Sequence, residues 1–272
     1  MPSKSKPTNQ DHETPKNYEN NPFFIAVKGI TTFVNVANGL FVLALLFSVF
    51  EIFTRSSAPE GPDPDKINPQ HIADTLSAIP TQDLLLALGA LTIISVALAM
   101  VSALFSGVSS LVALSIAKGK NITISQAFSQ AFEHLWPYLW LKVIACVKVF
   151  LWSLLFVIPG VIAYLRYSMA GVLFFDKGLR GNAALKASSK LTKDGLVTTF
   201  ASLFLFNAIT FATLMYVVNP SVIGTLYAQF TSAKQKPSPH ILSWVITYVP
   251  GVALAILVAL LFLGISTSIL YL

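Results

Sequence analysis

The stretch FVIPGVIAYLRYSMAGVLFFDKGLRGNAALKASSKLTKDG, residues 156–195, carries the features on which the reading of the whole chain turns. It opens apolar enough for lipid, breaks at Pro159-Gly160, sets Arg166 inside an apolar run and closes on a lysine-rich segment of helical period. Within 182–193, Ala184, Leu185, Ser188 and Leu191 share one helical face, while Lys186, Lys190 and Lys193 follow at i, i+4 and i+7 on the other. A helix divided in this way lies in the plane of a membrane interface. Its basic face gains about 1 kcal/mol per charge beside anionic lipid. A face for a protein partner is the second use of such a helix.

Composition sets the class. The 272 residues are 54% hydrophobic and 11% charged, with mean hydropathy +0.69. A soluble domain carries about 25% charged residues, so lipid is expected to cover much of this surface. The fold class read from the sequence is all-α, a polytopic integral membrane protein with about six transmembrane helices and two interfacial amphipathic helices. The net charge of +6 does not point to nucleic acid, because the basic residues cluster in short segments between apolar runs. Zinc-finger spacing and a basic-aromatic surface are both missing from the sequence. The single cysteine, Cys146, excludes an intrachain disulfide and reads as an inert buried thiol. Residues 1–29 are polar, proline-containing and without the order of a signal peptide, so they read as a disordered cytoplasmic tail before one helical domain, 30–272.

A crossing needs about 20 mostly apolar residues. Six runs qualify: 30–53, 82–117, 137–157, 160–176, 196–218 and 241–272. Thr81 reads as the cap of the second, and Asp83 suits its first turn. Thr123 and Gln126 have capping-box spacing before a second amphipathic segment, 125–135, whose apolar face is Ala127, Phe128, Ala131 and Leu135. Asn182 reads as an N-cap, Asp194-Gly195 as a break, and Asn219-Pro220 as the stop before a loop, 219–240. Lysine and arginine gather in cytoplasmic loops. Twelve fall on the N-terminal side of this layout, among them Lys118, Lys177, Arg180, Lys186 and Lys190, against Arg55, Lys66, Lys234 and Lys236 on the other. Both termini are therefore expected in the cytoplasm, with the chain in the inner or plasma membrane and an anionic inner leaflet as its partner. The acidic loop between the first two runs reads as solvated. VIPGVIA at 157–163 is echoed by YVPGVAL at 248–254, which is either the internal repeat of a transporter or a shared way of starting a helix with proline.

Lys148 and Arg166 are the strongly ionisable side chains well inside these runs. A charge at the bilayer centre costs at least about 2.5 kcal/mol, which makes each a functional candidate. Arg166 suits a phosphate through its planar fork, or carbonyls freed near Pro159; Lys148 suits a cavity or a snorkelling position. Thr31, Asn35 and Asn38 fall at i, i+4 and i+7 of the first run, and Asn207, Thr210 and Thr213 along the fifth. Both sets read as a polar path or as hydrogen bonds that hold helices together. Ser95, Ala99, Ser102, Ser106, Ser109 and Ala113 read as a packing stripe. His12, His71, His134 and His240 lie in separate regions, and the sequence holds no HExxH, GxSxG, P-loop or GxGxxG after a strand. No enzyme, metal or cofactor is expected.

Pro159-Gly160, Arg166, Ala184-Leu185, Ser188 and the Lys193-to-Gly195 end together resemble a group of bacterial multi-pass membrane proteins, the YciC-like proteins and the membrane domain attached to some glycerophosphodiester phosphodiesterases. The resemblance covers some 40 residues well, and the six-span layout loosely. It implies an integral helical protein without an assigned activity. The phosphodiesterase domain with its metal ligands is not part of this sequence, so its chemistry is not carried over. The function expected is a non-enzymatic membrane protein that organises the bilayer or binds lipid or a partner. The alternative is a small transporter or lipid-handling protein with an anion site at Arg166 and Lys148, lined also by Asn35, Asn38 and Asn207.

Overall fold

The computed structural model describes residues 19–56, 80–209, 214–233, 238–249 and 252. Of these, 89% are helical, and no strand occurs among them. The helices are α1 (Pro22–Val36), α2 (Asn38–Ser56), α3 (Thr81–Lys118), α4 (Ile124–Glu133), α5 (Leu135–Leu155), α6 (Val157–Tyr167), α7 (Ala170–Lys177), α8 (Gly181–Thr192), α9 (Leu196–Ile209) and α10 (Met215–Ser232). A 3-10 turn, Lys193–Gly195, joins α8 to α9, and 241–249 are helical.

Among the described residues, three helical stretches are long and apolar enough to cross a membrane: α3, α5, and α6 with α7 taken as one from Val157 to Lys177. A fourth is counted if α1 and the start of α2 form one bent span. The last crossing expected from sequence, 241–272, lies mostly outside the described residues, as does the second half of the VIPGVIA echo.

Four expectations change at the helix ends. The first helix starts at Pro22, where Asn21 accepts the Phe23 amide at 3.0 Å. Ile25 and Ala26, inside the stretch expected as tail, are fully buried. The first run is not straight, because α1 and α2 meet at a bend of 117°. At that bend the Val36 carbonyl accepts the Ile122 amide at 3.0 Å, so the loop after α3 takes the acceptor that a continuous helix would have used. Thr81 is the first residue of α3 rather than its cap; Pro80 holds that place without a side-chain bond. Pro159 and Gly160 do not end the third run. The break is at Phe156, and both residues lie in the first turns of α6, where proline is tolerated.

The largest departure is α10. Asn219-Pro220, read as a stop, lies inside a helix of 18 residues that is buried along nearly its whole length. A proline within a helix costs about 3 kcal/mol. Val217, Val218, Val222, Leu226 and Phe230 are all buried here, and dispersion at about 0.1–0.2 kcal/mol per atom pair gives a buried side chain several kcal/mol. The hydroxyls of Ser221 and Thr225 donate to Val217 O and Ser221 O at 2.6 and 2.9 Å, which satisfies them within the helix. Gly224 lies so close to α3 that an added Cβ would stand 2.5 Å from Ala113 O. Gly29 of α1 lies against the Ser221 backbone with still less room.

These contacts fix directions. Gly224 sits beside Ala113 and Ile116, while Tyr227, one turn on, donates to Asp176, which also pairs with Lys118 at 2.5 Å. Phe230 covers Gly195. The ends of α3, α7, the 3-10 turn and α10 therefore converge on one cationic end of the molecule. The fifth run expected from sequence, 196–218, is replaced by α9, 14 residues long, and a return through α10. α10 thus ends at Ser232 on the cationic end, whereas the sequence put the whole loop 219–240 on the opposite side; Lys234 and Lys236 are outside the described residues.

The segment 125–135 does not rest freely on a surface. Its capping box forms as expected, but Ala127 and Ala131 are buried, and Ala131 faces Gly107 of α3. The small-residue stripe of α3 packs only in part. Ser106 lies within hydrogen-bonding distance of the Tyr138 hydroxyl at 3.1 Å and Ala113 meets Gly224, whereas Ser95 and Ala99 are exposed. Ser102, Ser106 and Ser109 line a cavity of about 590 Å³ with Tyr216 and Asn219. Cys146 is exposed rather than buried, because it lies on the outer face of α5 with Val143, Val147 and Phe150.

Candidate anionic headgroup site

The break between α6 and α7 at Ser168 and Met169 frees backbone groups that must be satisfied. Ser188, buried at the middle of α8, does this. Its hydroxyl accepts the Met169 amide at 3.2 Å and donates to the Arg166 carbonyl at 2.7 Å. Thr192, one turn further, donates to the same carbonyl at 3.3 Å. Arg166 is thereby held by its backbone against the C-terminal half of α8, and its guanidinium is left exposed. On the same buried face, Ala184 and Leu185 press the N-terminal half of α8 into the core with Tyr138, Leu141 and Phe174.

At the opposite end of α8, Lys148 of α5 donates to Asn182 Oδ1 at 2.8 Å. Asn182 is therefore not the N-cap its position suggested. Arg180 holds that place without a side-chain bond, and its own guanidinium lies 5.5 Å from the Phe174 ring centre. Gly178 and Gly181, at φ +64° and +49°, turn the chain between α7 and α8 in the left-handed region that glycine enters freely.

Lys148, Arg166, Tyr167, Leu185, Lys186, Ser189, Lys190 and Lys193 line one groove of about 410 Å³. That volume falls in the range of small-ligand sites, roughly 300–1,000 Å³. Five of these eight side chains are cationic and none is acidic. Among the described residues no carboxylate pairs with Arg166, Lys186, Lys190 or Lys193. Lys148, Arg166 and the basic face of α8, separate features in the sequence, line one groove in the structure. Such a cavity suits phosphate, since Arg offers a planar fork and Lys a mobile point charge.

Asn35, Asn38 and Asn207 are not part of it. The bend at Ala37 separates Asn35 from Asn38, and both are exposed. Asn207 donates to Leu203 O at 2.8 Å and to Asn219 Oδ1 at 3.1 Å, so it ties α9 to α10; Thr210 and Thr213 lie outside the described residues. Sequence reasoning missed the Lys148–Asn182 bond and the grouping of Asp176, Lys118 and Tyr227. A lone aspartate closing the apolar run of α7 is a signal for the second, but nothing in the sequence marks Tyr227 as its partner. His134 is half-buried against Phe174 and Phe175. Among the described residues no three His, Cys, Asp or Glu side chains gather as a metal site would require. Comparison of the chain with protein-family models, curated proteins and solved structures gives no match.

Proposed function

We propose that this chain is an integral membrane protein that holds anionic phosphate headgroups of the cytoplasmic leaflet in the groove between α5, α6 and α8. The observation that carries the reading is the gathering of Lys148, Arg166, Lys186, Lys190 and Lys193 around one cavity with no acid among its lining residues. Between the two functions the sequence suggested, this favours lipid handling at an anion site. The non-enzymatic character is carried over from the sequence, which holds none of the hydrolase, phosphate-loop or metalloprotease motifs. The resemblance to YciC-like membrane proteins is compatible with it and assigns no activity of its own.

The cell membrane as location is supported by the apolar length of α3, by the exposed apolar residues of α5 and α6, and by the cationic end where α3, α7 and α8 terminate, which reads as cytoplasmic by the positive-inside rule. With the groove at headgroup level, Phe156 at the α5–α6 turn stands eight residues beyond Lys148, about 12 Å along the helix. That is less than half of the ~30 Å hydrocarbon core. The third and fourth crossings then become the two arms of a hairpin dipping into one leaflet, and among the described residues α3 is left as the straight full crossing.

The test is thermal unfolding of the detergent-purified protein with added lipid. At a hundredfold excess over Kd, phosphatidylglycerol is expected to add about 2.7 kcal/mol, a rise in Tm of roughly 5–10 °C at this size. Phosphatidylcholine is expected to add none of this, and Arg166→Gln with Lys190→Gln is expected to remove it. Equal stabilisation by the two lipids overturns the reading.

A further inference from the structure

The groove runs along α8, and its two anchored cations lie towards opposite ends of that helix. Lys148 is fixed beside Asn182, in the first turn of α8, and Lys186 stands one turn on. Arg166 is fixed by Ser188 and Thr192, near the last turn, where Lys190 and Lys193 follow. Lys148 and Arg166 thus mark two stations towards the two ends of α8, with Lys186 on the side of the first and Lys190 and Lys193 beside the second. From Lys186 to Lys193 the axis advances about 10 Å, and Ser189 lies between them as a neutral hydroxyl facing the same space. One phosphodiester carries one negative charge and is too compact to reach both stations. A soluble anion would gain nothing from the surface beside them: Val147, Leu151, Val161 and Ile162 are exposed on α5 and α6, and Leu154 to Ile158 at the hairpin tip are exposed without interruption. This apolar wall starts at Lys148 and runs ~12 Å to Phe156, about the depth of one leaflet of a ~30 Å core.

Resting on the headgroup reading above, we infer that the groove selects a phospholipid with two phosphodiester groups joined by a short polyol spacer. One phosphate sits at Lys148 and Lys186, the other at Arg166, Lys190 and Lys193, and the acyl chains lie along the α5–α6 hairpin. Basic pockets between helices at the cytoplasmic face suit headgroups of this kind.

The experiment is lipid retention by the intact purified protein, measured by native mass spectrometry from mixed micelles at matched total negative charge. The arms contain cardiolipin, phosphatidylglycerol at twice the molar amount, a polyprenyl diphosphate, or inorganic diphosphate as competitor. One retained cardiolipin, at least tenfold preferred over phosphatidylglycerol, is expected. Lys148→Gln with Lys186→Gln, or Arg166→Gln with Lys190→Gln, each lowers cardiolipin retention roughly 25-fold, at about fivefold per cation, and brings it to the level of phosphatidylglycerol. Lys186→Gln alone, which breaks no bond within the fold, lowers it about fivefold. Lys120→Gln, an exposed lysine off the groove, leaves it unchanged. Equal retention of cardiolipin and phosphatidylglycerol sinks the two-phosphate inference and leaves the headgroup reading standing. Retention of no anionic lipid sinks both. Preference for the polyprenyl diphosphate overturns the spacer, and full competition by inorganic diphosphate overturns the lipid.

Discussion

Two cationic regions of this molecule are built in opposite ways. At the end of α3, Lys118 meets Asp176, which also accepts from Tyr227, and the charge is settled within the chain. Along α8, three lysines stand with Lys148 and Arg166 around open space without a carboxylate among the lining residues. The packing differs in the same sense. Around the first region α1, α3 and α10 approach so closely that Gly29 and Gly224 have no room for a Cβ. Beside the second, the α5–α6 hairpin exposes its apolar residues to whatever surrounds it. A fold that supplies a counter-charge where it seals and withholds one where it opens leaves the second charge to be met from outside.

The largest expected effect is all-or-none and concerns the side on which both regions lie. In a Cys146→Ser background, Lys190→Cys and Ser232→Cys are expected to react with an impermeant thiol reagent from the same side of sealed vesicles, and Thr81→Cys from the other. Ser232→Cys reacting with Thr81→Cys would break the α9–α10 return and separate the two regions. Next in size is close packing. Gly224→Leu is expected to cost about 3 kcal/mol or more through overpacking, whereas Leu154→Ala at the exposed hairpin tip stays within about 0.5 kcal/mol; thermal unfolding in detergent reads both. The smallest effect separates the two charge arrangements directly. Asp176→Ala removes hydrogen bonds to a charged group and is expected to lose about 2 kcal/mol. Lys186→Gln with Lys190→Gln, assayed without added lipid, is expected to change stability by no more than about 0.5 kcal/mol. A loss of about 2 kcal/mol from the lysine pair would show that the groove is compensated internally after all.

Much of the groove was legible, but in pieces. The i, i+4, i+7 lysines of α8 and the isolated charges of Lys148 and Arg166 are periodicity and contrast, which a linear reading detects. Their union was not legible, because it depends on the hydroxyl of Ser188 binding both sides of a helix break 19 and 22 residues away. Asn182 looked like a cap because a cap is the local use of asparagine, and its actual partner lies 34 residues back. The residues around Asn219-Pro220 misled for the same reason. Local propensity says stop, while the cost of the proline is outweighed by neighbours from α1 and α3 that no short window contains.

What the amino-acid order determined by itself is the helical class, the apolar lengths, the cationic bias of the turns and the capping box at Thr123, because each arises from residues within a few turns of one another. What only the tertiary structure decided is the 117° bend after α1, the return of α10 to the cationic end, and the meeting of five positive charges in one cavity. Those depend on backbone groups and side chains far apart in the chain satisfying one another, and such pairings leave no period in the sequence.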